Sequence, residues 1–101
     1  MTTPKGYIYV EIEVTDPEGY RANYMTRSTP AVAKFGGRFV VRGGDVTVKN
    51  GDLTGRRVVL VEFDSYERAL EFYESPDYRE AMAHRDRHAI VHRYVIMRGA
   101  A

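Results

Sequence analysis

Seven side chains stand out because their types could bind a small organic acid and move its protons. Glu62 lies near the end of the apolar run from Arg56 to Phe63. A carboxylate there must be paired or protonated, because an isolated buried charge is costly. Arg42 closes a second apolar stretch, and Arg85 follows the last helical motif. Tyr73 and Tyr78 flank the Ser75-Pro76 corner. Tyr20 and Tyr24, four residues apart, share a helix face. Converging at the gap between helices and sheet, these residues would form a small-molecule pocket. An arginine would anchor an acid, and Glu62, the candidate catalytic residue, or a tyrosine would handle the proton. A structural reading of the same residues stands beside it: Glu62 pairs with an arginine to fix the helix–sheet packing, and the tyrosines are ordinary core.

Other chemistries find less support. His84, His88 and His92 are spaced by four, and on one helix they would share a face able to hold a metal. His92 falls in a strand-like segment, however, and no acidic or third ligand has a spacing that supports the His84/His88 pair. No metal is expected, and the histidines read as exposed at a polar helix end. Gly36-Gly37 and Gly43-Gly44 match neither a P-loop nor a dinucleotide fingerprint and read as turn glycines. Ser75 lacks a nucleophile elbow. Arg56-Arg57 reads as a solvated strand start, and no cofactor is implied.

These side chains need elements to position them. Ile8, Val10, Ile12 and Val14 alternate with Tyr7, Tyr9, Glu11 and Glu13, which predicts a strand over Tyr7 to Val14. Asp16 and Pro17 signal a helix start. Pro30 predicts a kink or break near Ser28-Thr29, followed by a second helical piece, Ala31 to Phe35, that ends at Gly36-Gly37. Arg38 to Arg42 is a second strand, and Val46 to Val48 is expected to pair back as a short hairpin after the turn at Gly43-Gly44-Asp45. Lys49 to Gly55 is a polar loop. The nearly continuous run Arg56 to Phe63 marks a central strand buried on both faces. Asp64 and Glu67 suggest a capping box for the helix carrying Ala69, Leu70, Phe72 and Tyr73. Ser75-Pro76 starts a further helix to about Arg87, and Ile90 to Met97 is the last strand.

The order β-α-β-β-α-β is the ferredoxin-like pattern of the α+β class: an antiparallel sheet with helices on one face. Both faces of the first and third strands carry large side chains, so the face without helices would expose an apolar patch beyond what a monomer tolerates. Sheet-to-sheet pairing across a two-fold axis covers it, so a homodimer is expected.

Composition bounds the function. The chain has 101 residues and 11.6 kDa, which predicts one domain over residues 1–101. Lys plus Arg number 15 and Asp plus Glu 14, for a net charge of +1. Nucleic-acid binding needs a basic excess and is not expected. The absence of Cys excludes disulfides, thiolate catalysis and Cys-based zinc sites. No apolar run approaches the ~20 residues of a membrane span, and Met1 to Lys5 lead into the first strand without an apolar signal region, so a cytoplasmic setting is expected. Eight Tyr and no Trp suggest half-wet surfaces, an interface or a pocket.

The segment Lys34 to Gly44 (KFGGRFVVRGG) resembles the signature of the domain-of-unknown-function 1330 family. So do Val61-Glu62-Phe63-Asp64-Ser65, Phe72 to Tyr78 (FYESPDY), Tyr20 and Tyr24 after Asp16-Pro17, and Arg85. The match runs from about Gly6 to Gly99. Asn50-Gly51 stands where the family usually has Glu-Gly, Phe72 where Trp is common, and Asp86-Arg87-His88 where Ala and Gln are typical. The resemblance implies a dimeric α/β barrel, two ferredoxin-like subunits with facing sheets. That superfamily includes cofactor-free monooxygenases, isomerases and haem enzymes, but fold likeness alone does not carry an activity. The leading expectation is a homodimer that binds a small organic acid or aromatic ligand in each subunit. The alternatives are a cofactor-free monooxygenase- or isomerase-like enzyme using the same cleft, and a structural or regulatory dimer without ligand.

Overall fold

Alternation sets the first strand. In the computed structural model, which describes residues 3–101, Gly6–Val14 form β1. Ile8, Val10 and Ile12 are buried on one face, and Tyr7, Tyr9 and Glu13 are half-exposed on the other. Met1 and Thr2, part of the start read as lacking a signal region, lie outside the described residues.

The next helix starts as expected. Asp16 accepts a hydrogen bond from the Gly19 amide at 3.1 Å, with Pro17 at the first helical position. It runs unbroken through α1 (Pro17–Gly19), a π-helical stretch (Tyr20–Met25) and α2 (Thr26–Lys34). Of the kink or break expected near Ser28-Thr29, the break does not occur. Pro30 sits inside α2 on the solvent side, and the carbonyl one turn back belongs to exposed Thr26, so water can replace the missing amide. The irregularity falls upstream instead. There Thr26 and Arg27 side chains donate to the Ala22 and Asn23 carbonyls, each at 2.7 Å.

Five elements complete the chain: β2 (Arg38–Arg42), β3 (Arg57–Phe63), α3 (Tyr66–Glu74), α4 (Pro76–His88) and β4 (Ala89–Arg98). Val46 to Val48 form no strand; Val46 is 47% and Val48 41% exposed, so nothing there rewards pairing. The cap of α3 is Ser65, which accepts from the Arg68 amide at 3.0 Å. Asp64 faces Lys5 and Arg38 instead, so the expected Asp64/Glu67 box does not form and the cap falls one residue later. Ser75 caps α4 and also donates to the Phe72 carbonyl, which ties α3 to α4.

The four strands form one antiparallel sheet in the order β2-β3-β1-β4. Two bulges break its alternation. In β2 the register skips Val40, so Val41 pairs with Leu60 and Arg42 with Val59. In β4 it skips His92, so Val91 pairs with Ile12 and Arg93 with Glu11. Tyr20, Ala31, Val32, Ala69, Phe72, Tyr78 and Ala81 of the helical segments bury against Ile8, Val10, Ile12, Val61 and Phe63. The helices therefore cover one face. The other face shows Val41 at 36%, Val95 at 40% and Met97 at 41% exposed. β3 is consequently buried on one face only: Val61 and Phe63 are buried, while Val58 and Leu60 are half-exposed.

α3 approaches β1 closely at Gly6, where an added Cβ would overlap the Ser65 backbone carbonyl. Backbone cannot swing aside as a side chain can. Gly6→Ala is expected to cost about 1–3 kcal/mol, as overpacking does. The resulting fall in Tm is roughly 4–8 °C per kcal/mol for a domain this size, read by circular dichroism. An unchanged Tm would contradict the contact.

Candidate functional site

The gap between helices and sheet holds a narrow cleft. It encloses about 40 Å³. Ile8, Val10, Val59, Val61 and Phe72 make an apolar floor. The π-helical stretch supplies Tyr20, Tyr24 and Met25 to one wall, and α4 and β4 supply Tyr78 and Tyr94. π turns widen a helix locally and recur at functional sites.

Arg42 and Arg57 form the polar end. Arg57 pairs with Ile12 in the sheet, so it points to the helix-covered face. Arg42 reaches the same face only because the Val40 bulge shifts it there. The Arg42 guanidinium lies over the Phe39 ring at 3.9 Å and donates to Thr29 Oγ1 at 2.6 Å, which pins it between sheet and α2. Arg57 reaches the Arg42 carbonyl at 3.4 Å, a long contact. Its Nε is the one buried side-chain nitrogen or oxygen without a hydrogen-bond partner among the described residues. The ion pairs formed among those residues engage other arginines, including Arg38, Arg56, Arg85, Arg93 and Arg98. Gly43, at φ +71°, makes room for this side chain: a Cβ there would lie 2.9 Å from the Arg57 Cζ. Beyond Tyr20, Met25 and Arg57 the cleft opens into a wider hollow of about 470 Å³, which Arg21 also borders.

The tyrosines form a packed row. Tyr20 and Tyr24 ring centres are 5.1 Å apart, and Tyr24 and Tyr78 share a hydroxyl contact of 2.8 Å. Burial raises both the Tyr24 and Tyr78 phenols well above their usual range, so both keep their protons at neutral pH. Arg85, buried behind the row, donates to Tyr78 Oη at 3.2 Å and to Asp86 at 3.1 Å. Tyr73 packs on Tyr78 and Tyr94 at 6.1 and 5.1 Å.

Of the seven expected residues, Tyr20, Tyr24, Arg42 and Tyr78 line the cleft, and Tyr73 and Arg85 support it from behind. Glu62 does not reach it. It pairs with Tyr7 and Arg38 in the sheet register, which places it on the bare face. There it accepts from Tyr7 Oη at 2.7 Å and Arg38 Nε at 2.6 Å. The arginine partner expected of it exists, but it serves the face away from the helices. Glu11 heads a matching cluster on that face, with Tyr9, Arg56 and Arg93 at 2.9–3.0 Å. The histidines separate: His88 meets Asp16 at 3.0 Å and His92 meets Glu13 at 3.1 Å. Arg57 and Tyr94 were not anticipated. The signal for Arg57 was its phase, since Arg57, Val59, Val61 and Phe63 alternate onto one face.

The family model described as Domain of unknown function (DUF1330) matches residues 5–100. The fold is similar to the crystal structure of the RPA0582 protein of unknown function from Rhodopseudomonas palustris. That similarity has a TM-score of 0.68 at 23% identity and covers 100% of this chain and 85% of that one. The methylated RPA0582 protein gives 0.67 at 23% identity, over 100% and 84%. At this identity the likeness concerns the fold alone. No curated protein matches the chain.

Hydrogen bonds from Tyr7, then Arg38, hold the Glu62 carboxyl below its ordinary value of 4.5. At Glu11 burial works against the charge, and the bonds from Arg56, Arg93 and Tyr9 outweigh it. A depressed folded-state pKa gives stability that is present above the unfolded value and lost as pH falls through the folded one. Glu62→Gln should therefore lower Tm near neutral pH and flatten the decline of Tm below about pH 4.5. Thermal scans across that range decide it, and parallel curves for variant and parent would remove the assignment.

Proposed function

The chain belongs to the DUF1330 family, a domain of unknown function, and from that premise we propose that it is a homodimer binding a small organic acid in the cleft of each subunit. The observation that carries the reading is the Arg57 Nε–H, buried without a partner at one end of an otherwise apolar cleft. A buried donor left unmade is costly, more so on a charged group. A carboxylate matches a guanidinium in shape and charge and would remove that cost. Arg42, held by Thr29 and Phe39, stands beside it. The apolar floor and tyrosine walls suit the body of a small aliphatic or aromatic acid. Met25, flexible and shared by cleft and hollow, is the natural gate.

Binding is favoured over turnover because no carboxylate lines the cleft among the described residues. The acid–base version built on Glu62 loses its base to the opposite face. No helix is long and apolar enough to cross a membrane among the described residues.

The strand order, with helices on one face, supports the ferredoxin-like reading, and the bare face supports the dimeric barrel. Val41, Leu60, Val95 and Met97 leave apolar surface there that a second copy would cover. The Tyr–Glu–Arg clusters already satisfy their own polar groups, so pairing would not strand them.

Two measurements test this. Saturating shifts in Tm are expected with some members of a panel of short aliphatic and aromatic carboxylates. Arg57→Gln should weaken binding about tenfold or more, the loss expected for a charge-assisted pair. Arg38→Gln, on the other face, should leave it unchanged. No saturable shift, or equal affinity in Arg57→Gln, ends the reading. Light scattering should give twice the 11.6 kDa chain mass, and Met97→Glu should shift it toward the monomer. A parent particle of 11.6 kDa at micromolar concentration would refute the dimer.

A further inference from the structure

The arginines are one end of the cleft, and the phenol row is the other. Arg85 donates to Tyr78 Oη at 3.2 Å, and Tyr78 Oη lies 2.8 Å from Tyr24 Oη. A guanidinium can only donate, so Tyr78 accepts from it. The two phenols bring two protons and share one contact, so one proton is left over. Tyr78 is 2% exposed and packed against the Phe72 ring at 4.4 Å. Tyr24 is half-buried at the cleft wall. A donor left unmade is costliest where nothing can reach it. Tyr94 packs on Tyr78 ring to ring at 6.2 Å without a hydrogen bond to it, so the order that avoids this runs from Arg85 to Tyr78, from Tyr78 to Tyr24, and from Tyr24 into the cleft. Successive bonds polarise one another, which strengthens the last donor. Tyr20 lies between the two ends: its ring is 5.1 Å from that of Tyr24, and it borders the hollow beside Arg57.

Both ends of the cleft therefore offer hydrogens, and a fitting ligand must bring two acceptors. The geometry points to a short oxo acid, with its carboxylate on Arg57 and Arg42 and its carbonyl oxygen on the Tyr24 hydroxyl. This inference deepens the acid-binding reading and rests on it.

Calorimetric titration of matched pairs tests it: levulinate against valerate, and benzoylpropionate against phenylbutyrate. Each oxo acid differs from its partner by the ketone alone. The oxo acid of at least one pair should bind about tenfold tighter than its parent, as expected for a hydrogen bond made inside an apolar site. Tyr24→Phe should reduce that ratio to near unity, while Tyr66→Phe, on α3 away from the cleft, keeps it. Carbon NMR of carbonyl-labelled levulinate provides a readout on the unaltered protein: the ketone resonance should move downfield on binding. Parent acids that bind as tightly as their oxo partners would overturn the inference and leave acid binding standing. So would a ratio that survives Tyr24→Phe, a ratio that falls equally in Tyr66→Phe, or an unmoved ketone resonance. Failure of every acid to bind would overturn both.

Discussion

Side chains on a strand alternate, so one inserted residue moves every later side chain to the other face. Two such insertions shape this sheet, and the first determines which cation reaches the cleft. At Val40 the shift carries Arg42 from the bare face to the helix-covered one, beside Arg57. At His92 it keeps Val91 in phase with Tyr94 and Ile96 on the covered face, and sends Arg93 to Glu11 on the other. Without the first, the guanidinium pair would be split across the sheet. Without the second, Val91 would turn to the bare face, out of phase with Tyr94 and Ile96.

The helices complete the site with a second departure from regularity. The π stretch Tyr20–Met25 places Tyr20, Tyr24 and Met25 on the cleft wall. α4 brings Tyr78 against that wall, with Arg85 two turns further along it. The result has polarity at both ends and an apolar middle. Such a cavity would suit a ligand of matching polarity, because unmatched groups at either end would lose their bonds to water without replacement.

The opposite face shows how the same residue types serve a different purpose. Tyr7, Glu62 and Arg38, and Tyr9, Glu11, Arg56 and Arg93, form clusters in which each carboxylate is met by a phenol and at least one guanidinium. Arg38, Arg56 and Arg93 meet carboxylates on that face, whereas Arg42 and Arg57 border the cleft with no carboxylate beside them. This division is the electrostatic basis for placing an anionic ligand on the helix side and a second copy of the chain on the other.

Much of the scaffold was legible from local chemistry. The period-two run of β1 and the Asp16-Pro17 and Ser75-Pro76 starts depend on near neighbours and formed as read. Tyr20, Tyr24 and Tyr78 were recognisable as wall residues because a helix face and a capped corner are local features. The hairpin at Val46 to Val48, the break at Pro30 and the cap at Asp64 were misread, since each depended on a partner surface, solvent exposure or a competing ion pair that no short window contains. Glu62 and Arg57 show the limit most clearly. Both lie on β3, five residues apart and so on opposite faces. Sequence alone established that alternation; only the assembled sheet, by packing its helices on the Ile8–Val10–Ile12 side, decided that Arg57 would face the cleft and Glu62 would not.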